Sequence, residues 1–87
     1  MGFDMHIEHL NECIKVRADF EGGCARPILF KRASRVFRVE RLAASWEDRD
    51  GGAKVCYYSV ESEGAIYQLS WRVQDNLWYV DAVMMEG

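Results

Sequence analysis

The chain has little of what most catalytic and metal-binding signatures are built from. Its 87 residues include one proline, three cysteines and two histidines, and both histidines lie near the start. Cys13, Cys24 and Cys56 are an odd set without paired spacing, which argues against a disulfide framework and for reduced thiols. No histidine follows His9, so a Cys–His nucleophile pair would need the N-terminus folded back over the turn that holds Cys24. No glycine-rich phosphate loop follows a strand and opens a helix, and there is no nucleophile elbow. "EGG" and "DGG" read as hairpin turns instead. Nothing approaches the roughly 20 apolar residues of a membrane span, and residues 1–20 lack the basic start and apolar stretch of a secretory leader. These absences predict a cytoplasmic, non-enzymatic protein without a cofactor.

Metal chemistry has equally thin support. His6, His9 and Cys13 would share a face only if their segment were helical, and the zincin spacing is missing, so no metal site is assigned. Glu47, Asp48 and Asp50 read as a solvated turn, without the spaced oxygen ligands and distal glutamate of an EF-hand.

What the chain does have is apolar and aromatic content: 49% hydrophobic and 13% aromatic residues, too much for a disordered chain and enough for one small core. Period-two alternation between turn signals dominates. In "ECIKVRADF" Ile14, Val16, Ala18 and Phe20 alternate with Lys15, Arg17 and Asp19. "PILFKR" is a short strand whose leading Pro27 suits a strand start or an edge, and Ala33-Ser34-Arg35 is a tight turn. "VFRVERLAASW" reads as one longer strand, with a bulge or bend near Leu42 to Ala44. "EDRDGG", "SEG" and Asp75-Asn76 are turns separating "AKVCYYSVE", "AIYQLSWRV" and "LWYVDAVMM".

The expected fold is therefore all-β: one antiparallel meander of five or six strands curled into a small SH3-like barrel or roll over residues 12–87. Residues 1–11 are expected to be flexible or a short helix after an Asp4 cap. The expected core draws on Ile14, Val16, Phe30, Phe37, Val39, Val60, Tyr67, Leu69 and Val80.

Charge is unevenly spread. Residues 26–41, "RPILFKRASRVFRVER", hold six basic groups and one acid inside a chain of net charge −3. On the strand reading Lys31, Arg35 and Arg38 project from one hairpin face, with Arg32 and Arg41 nearer the other. Such a hairpin either pairs with the acidic strands, meets a protein, or binds nucleic acid. Of these functions the sequence favours a non-catalytic interaction module for a protein partner. Its candidate contact residues are Lys31, Arg35, Arg38, Arg41, Trp46, Trp71 and Trp78, since the rings look too many to pack entirely inside so short a chain. The alternative is an accessory nucleic-acid binder. No membrane association is expected, and an exposed edge strand admits either a monomer or a homodimer by strand pairing.

Arg26-Pro27, Leu29-Phe30, Phe37-Arg38-Val39, Trp46, Tyr58, Val60, Gly64 to Leu69 and Trp78 form a pattern over about residues 12–84. It resembles a family of small bacterial β-domains of unknown function, which have glycine in the tight turn where this chain has Ala33-Ser34-Arg35. Members occur alone or beside proteins similar to Y-family DNA polymerases. The resemblance implies a DNA-repair neighbourhood but no catalytic residue and no ligand.

Overall fold

The computed structural model describes residues 5–22 and 24–86, with all of their side chains except those of Cys24 and Glu86. The alternating segments form seven strands: β1 (Met5–Glu21), β2 (Cys24–Arg32), β3 (Arg35–Arg38), β4 (Arg41–Asp50), β5 (Ala53–Ser62), β6 (Ala65–Arg72) and β7 (Leu77–Glu86). They make one antiparallel sheet in the order β3-β2-β1-β7-β6-β5-β4. Two meanders, β1–β3 and β4–β7, meet where β1 pairs with β7. Among the described residues there is no helix, hence none long and apolar enough to cross a membrane.

The all-β antiparallel character is as the alternation predicts, but the strand count, the closure and the N-terminus differ. The run read as one long strand is split at Val39-Glu40. The Val39 amide donates to the Ile28 carbonyl at 2.8 Å, and the next amide, Glu40, donates to the Glu61 carbonyl at 2.8 Å. Consecutive residues thus bond to opposite ends of the strand order, and five or six expected strands become seven. The edges β3 and β4 are consecutive in the chain, so the sheet must bend round to bring them together. No ladder joins them, and the sheet is not closed into a barrel.

Residues 5–11, expected to be flexible or helical, are the first part of β1. Met5, Ile7 and His9 lie opposite Glu86, Met84 and Ala82. Met5 and Ile7 alternate with His6 and Glu8, which is strand spacing. A bulge between His9 and Glu12, with Asn11 at a φ of 50°, then shifts the phase between the histidines and Cys13. Residues 1–4, including the expected Asp4 cap, lie outside the described residues.

The turns follow their sequences. Gly51 and Gly52, with φ of 60° and 89°, make the two-residue connection that matches strand twist. Asp50 and the acids before it belong to β4 rather than to that turn. Ala33 adopts a φ of 56°, a left-handed conformation costly for a side chain with a Cβ, at the place where the resembled family carries glycine. The bulge expected near Leu42 to Ala44 is present, as a register shift between these residues in the β4–β5 ladder.

One side of the bent sheet holds the core. Phe30, Val60, Leu69 and Val80 are wholly buried, Ile14, Phe37 and Tyr67 nearly so, and Val16 and Val39 pack against the cluster. Phe30 stacks on Phe37 at 5.0 Å between centroids and meets the edge of Tyr67 at 5.2 Å. β2 and β3 are thereby pinned to β6, which is not their ladder neighbour.

Candidate functional site

With the apolar half of each strand committed to the core, the polar half of β1–β3 forms the opposite face. The registers Lys15↔Lys31↔Val36 and Arg17↔Leu29↔Arg38 set two rows across three strands. Lys15, Arg17, Lys31 and Arg38 are exposed, as is Val36, and Leu29 is half-buried. None of the four cations has an ion-pair partner among the described residues. Two lysines directly opposite one another repel, and a sheet selected for stability alone would place an acid at one of them. The result is a positively charged patch in which Leu29, on the middle strand, and Val36, on the edge strand, are the apolar members.

Five of the other seven cations are ion-paired within the domain. Arg32 bonds Glu12 at 2.7 Å, Arg35 pairs with Glu63, Arg41 with Glu61, Lys54 with Glu47 at 3.2 Å and Arg72 with Asp50 at 3.4 Å. Hydrogen bonding from Arg32 holds the Glu12 carboxyl below its usual range. The Arg35 guanidinium also lies 4.8 Å from the centre of the Phe37 ring, a cation–π contact. Arg35 therefore lies on the Phe37 side of β3, not with Lys31 and Arg38 as the hairpin reading had it.

The tryptophans divide differently from the expectation. Trp46 is exposed and stacks on Tyr57 at 5.5 Å. Trp78 is buried, stacked on Trp71 at 5.3 Å and on Tyr58 at 5.5 Å, and Phe20 meets the edge of Trp71 at 5.8 Å. These four rings form a ladder at one end of the bent sheet. On one side of it lies a hollow of about 210 Å³ bounded by Ala25, Ser45, Cys56, Tyr58 and Trp71. Of the seven candidate contact residues, Lys31 and Arg38 share the unpaired basic patch, Trp46 is exposed elsewhere, and Trp78 is core. Lys15 and Arg17 were missed. Their alternation with Ile14 and Val16 was plain, but their register against β2 was not.

The chain matches no family model, no curated protein and no solved structure. Its chemistry must be read from its own residues.

Those residues offer no metal set: among the described ones, no three His, Cys, Asp or Glu side chains converge. His6 and His9, three apart on a strand, point to opposite faces. Cys13 is exposed, and Cys56 packs in the core as a small apolar side chain. The thiol of Cys24 lies outside the described residues. Glu47 and Asp50 are each held by a different cation.

Asp81 is half-buried at a bulge. It is the extra residue where Gln68↔Ala82 gives way to Leu69↔Val80, and it accepts a hydrogen bond from the Ser70 hydroxyl at 3.1 Å. Burial pushes its carboxyl above the ordinary 3.8, against the opposing pull of Ser70 and of Arg72. A raised native value means that the neutral acid suits the fold better than the carboxylate. The stability it contributes is complete below its ordinary titration range and declines as pH rises through the native value. Asp81→Asn keeps an oxygen to accept from Ser70 and removes the half-buried charge. Thermal melts should show the variant higher than wild type by on the order of 2 °C at pH 7, with the difference vanishing at about pH 3. A variant that melts lower at pH 7 would show the carboxylate to be stabilising.

Proposed function

We propose that the domain is a non-catalytic interaction module that docks on an acidic surface of a protein partner through the outer face of β1–β3. The observation that carries this reading is the convergence of Lys15, Arg17, Lys31 and Arg38 on one face without acidic partners. Five other cations of the sheet are matched to carboxylates, so leaving four unmatched on one face, with two lysines opposed, costs stability with no return inside the domain. Positive charge beside the apolar Leu29 and Val36 steers an acidic partner in and then gives it an apolar surface to bury.

Nucleic acid competes for the same charge. Single-strand binding, however, uses rings on which bases stack, and the aromatic residues of β2 and β3, Phe30 and Phe37, are buried in the core. The half-buried Tyr79, opposite Cys13 of β1, is the ring that borders the patch. The overall charge of −3 also runs against the basic footprint of nucleic-acid binders.

The test is the double reversal Lys31→Glu/Arg38→Glu. In a pull-down it should lose a partner that wild type retains, by at least about tenfold. Its melting temperature should not fall, because Lys15 would then face an acid, a cross-strand exchange expected to raise Tm by roughly 1–5 °C. Retention of every partner by the variant refutes the proposal. Wild-type binding to single-stranded or duplex DNA that collapses between about 20 and 150 mM salt, without protein capture, would favour the nucleic-acid reading.

A further inference from the structure

A second surface lies where the sheet fails to close. β4 pairs with β5 from Arg41↔Glu61 to Asp50↔Ala53, and its other edge has no strand partner among the described residues. Every residue from Ala43 to Asp50 is exposed, so side chains on both faces of this stretch are open to solvent. It contains no proline, and its register shift lies before Ala44. A straight, open edge is a template for another strand.

Backbone direction limits what that edge offers. Asp50 and Ala53 flank the Gly51-Gly52 turn and face each other in the ladder, which makes them the bonded pair that closes a two-residue turn. Bonded and non-bonded pairs alternate along an antiparallel ladder, so Asp48, Trp46 and Ala44 also bond to β5. The N–H and C=O groups of Ser45, Glu47 and Arg49 therefore point outward. The Arg49 amide fits this direction, because it donates to Asp48 Oδ1 at 2.8 Å. Asp48 thus caps one outward donor, and the bulge ends the straight run at Ala44. What is left for another strand is the short set at Ser45 and Glu47.

Charge does not repel a second copy from this edge. Glu47 is held by Lys54 and Asp50 by Arg72, and Arg49 follows Asp48 in the chain. Two antiparallel copies of β4 oppose one another about whichever residue lies on the two-fold axis. Centring on Ser45 sets Arg41 against Arg49 of the second copy, and centring on Glu47 or Asp48 sets an acid against itself. Centring on Ala44 runs the ladder through the bulge. Centring on Trp46 avoids all of these. Ala44 then faces Asp48, and Ser45 faces Glu47, so the outward backbone groups form four bonds, two on each side of the axis. Trp46 faces its own copy in the closer, non-bonded kind of pair. Its ring is 45% exposed and stacks on Tyr57 at 5.5 Å, so the pairing makes a row of four rings and covers a large exposed apolar side chain. The two Glu47 side chains become diagonal neighbours, each with its own Lys54.

We infer that two copies of the chain pair antiparallel along β4, about a two-fold axis at Trp46, into one sheet that runs through both. Four backbone bonds and one ring pair make a small interface, so the dimer is weak, with Kd on the order of 100 µM. The surface shares no residue with the basic patch, and the inference does not rest on the function proposed for that patch.

The test is sedimentation equilibrium and backbone amide exchange on the full chain between about 10 µM and about 1 mM. The mass should rise from one copy toward two. Exchange at Ser45 and Glu47 should slow by about threefold or more with concentration, while Arg49, already bonded to Asp48, should not change. Trp46→Ala should weaken the dimer by at least about tenfold. Ala44→Lys, facing Asp48 of the second copy, should tighten it and Ala44→Glu should loosen it, a difference of about tenfold that shrinks in about 0.5 M salt. A chain that stays monomeric throughout overturns the inference, as does Ala44→Glu dimerising as tightly as Ala44→Lys. Concentration-dependent protection confined to other strands overturns it by placing the interface elsewhere. Protection of Ser45 and Glu47 that appears only when another protein is added would assign the edge to that protein instead.

Discussion

Replacing Phe30 with alanine should cost the domain about 3–5 kcal/mol, the range for deleting a buried phenylalanine. Phe30 is fully buried, stacks on Phe37 of β3 and meets the edge of Tyr67 on β6. The ladder order separates β2 from β6 by two strands, so Phe30 joins the two meanders through the core rather than through hydrogen bonds. A small domain has roughly 5–15 kcal/mol of stability in all, and the variant should melt more than about 15 °C lower. All three tryptophans lie in the second meander. In guanidinium denaturation followed by tryptophan fluorescence and far-ultraviolet circular dichroism, both signals should move together to lower denaturant with unchanged slope. A tryptophan transition that stays at its wild-type position would show that the second meander folds without the first.

The local half of this architecture is legible from the residues. Alternation in "IKVRADF" and "AIYQLSWRV" marks a buried and a wet face because a pleated strand has period two, and paired glycines mark a reversal because few other residues tolerate positive φ. The Leu42–Ala44 bulge is legible for the same reason, as the point where alternation fails. What cannot be read is which strand lies beside which. Lys15 and Lys31 are unremarkable in their own strands, and they become a repulsive pair only through the β1–β2 register. The same non-local step hid the β1 extension, since Met5 to His9 are held by β7 at the far end of the chain. A bulge inside β1 scrambled the local period and left helix as the better local match. In the Val36 to Trp46 run the strand state is legible but the switch of partners at Val39-Glu40 is not, because it depends on how far the sheet bends.

Alanine at each tryptophan should separate the three roles that one residue type plays here. Trp78→Ala should be the worst, at about 3–5 kcal/mol, because Trp78 is buried and stacked between Tyr58 and Trp71. Its loss breaks the ring ladder in the middle and joins the hollow beside Ser45 to the one bounded by Ile14, Val16 and Phe20 on the other side of the rings. Trp71 is half-buried, stacks on one side only, and donates its indole N–H to Asn76 Oδ1 at 3.0 Å. That bond ties β6 to the turn before β7, and Trp71→Ala should cost about 1–3 kcal/mol. Trp46, exposed and stacked on Tyr57, should cost less than about 1 kcal/mol. The order matters for any binding assay. A partner lost by Trp78→Ala reports unfolding, whereas one lost by Trp46→Ala with an unchanged melt reports a contact beside the β4 edge. Equal melts for the Trp78 and Trp46 variants would mean that the ring ladder does not support the sheet.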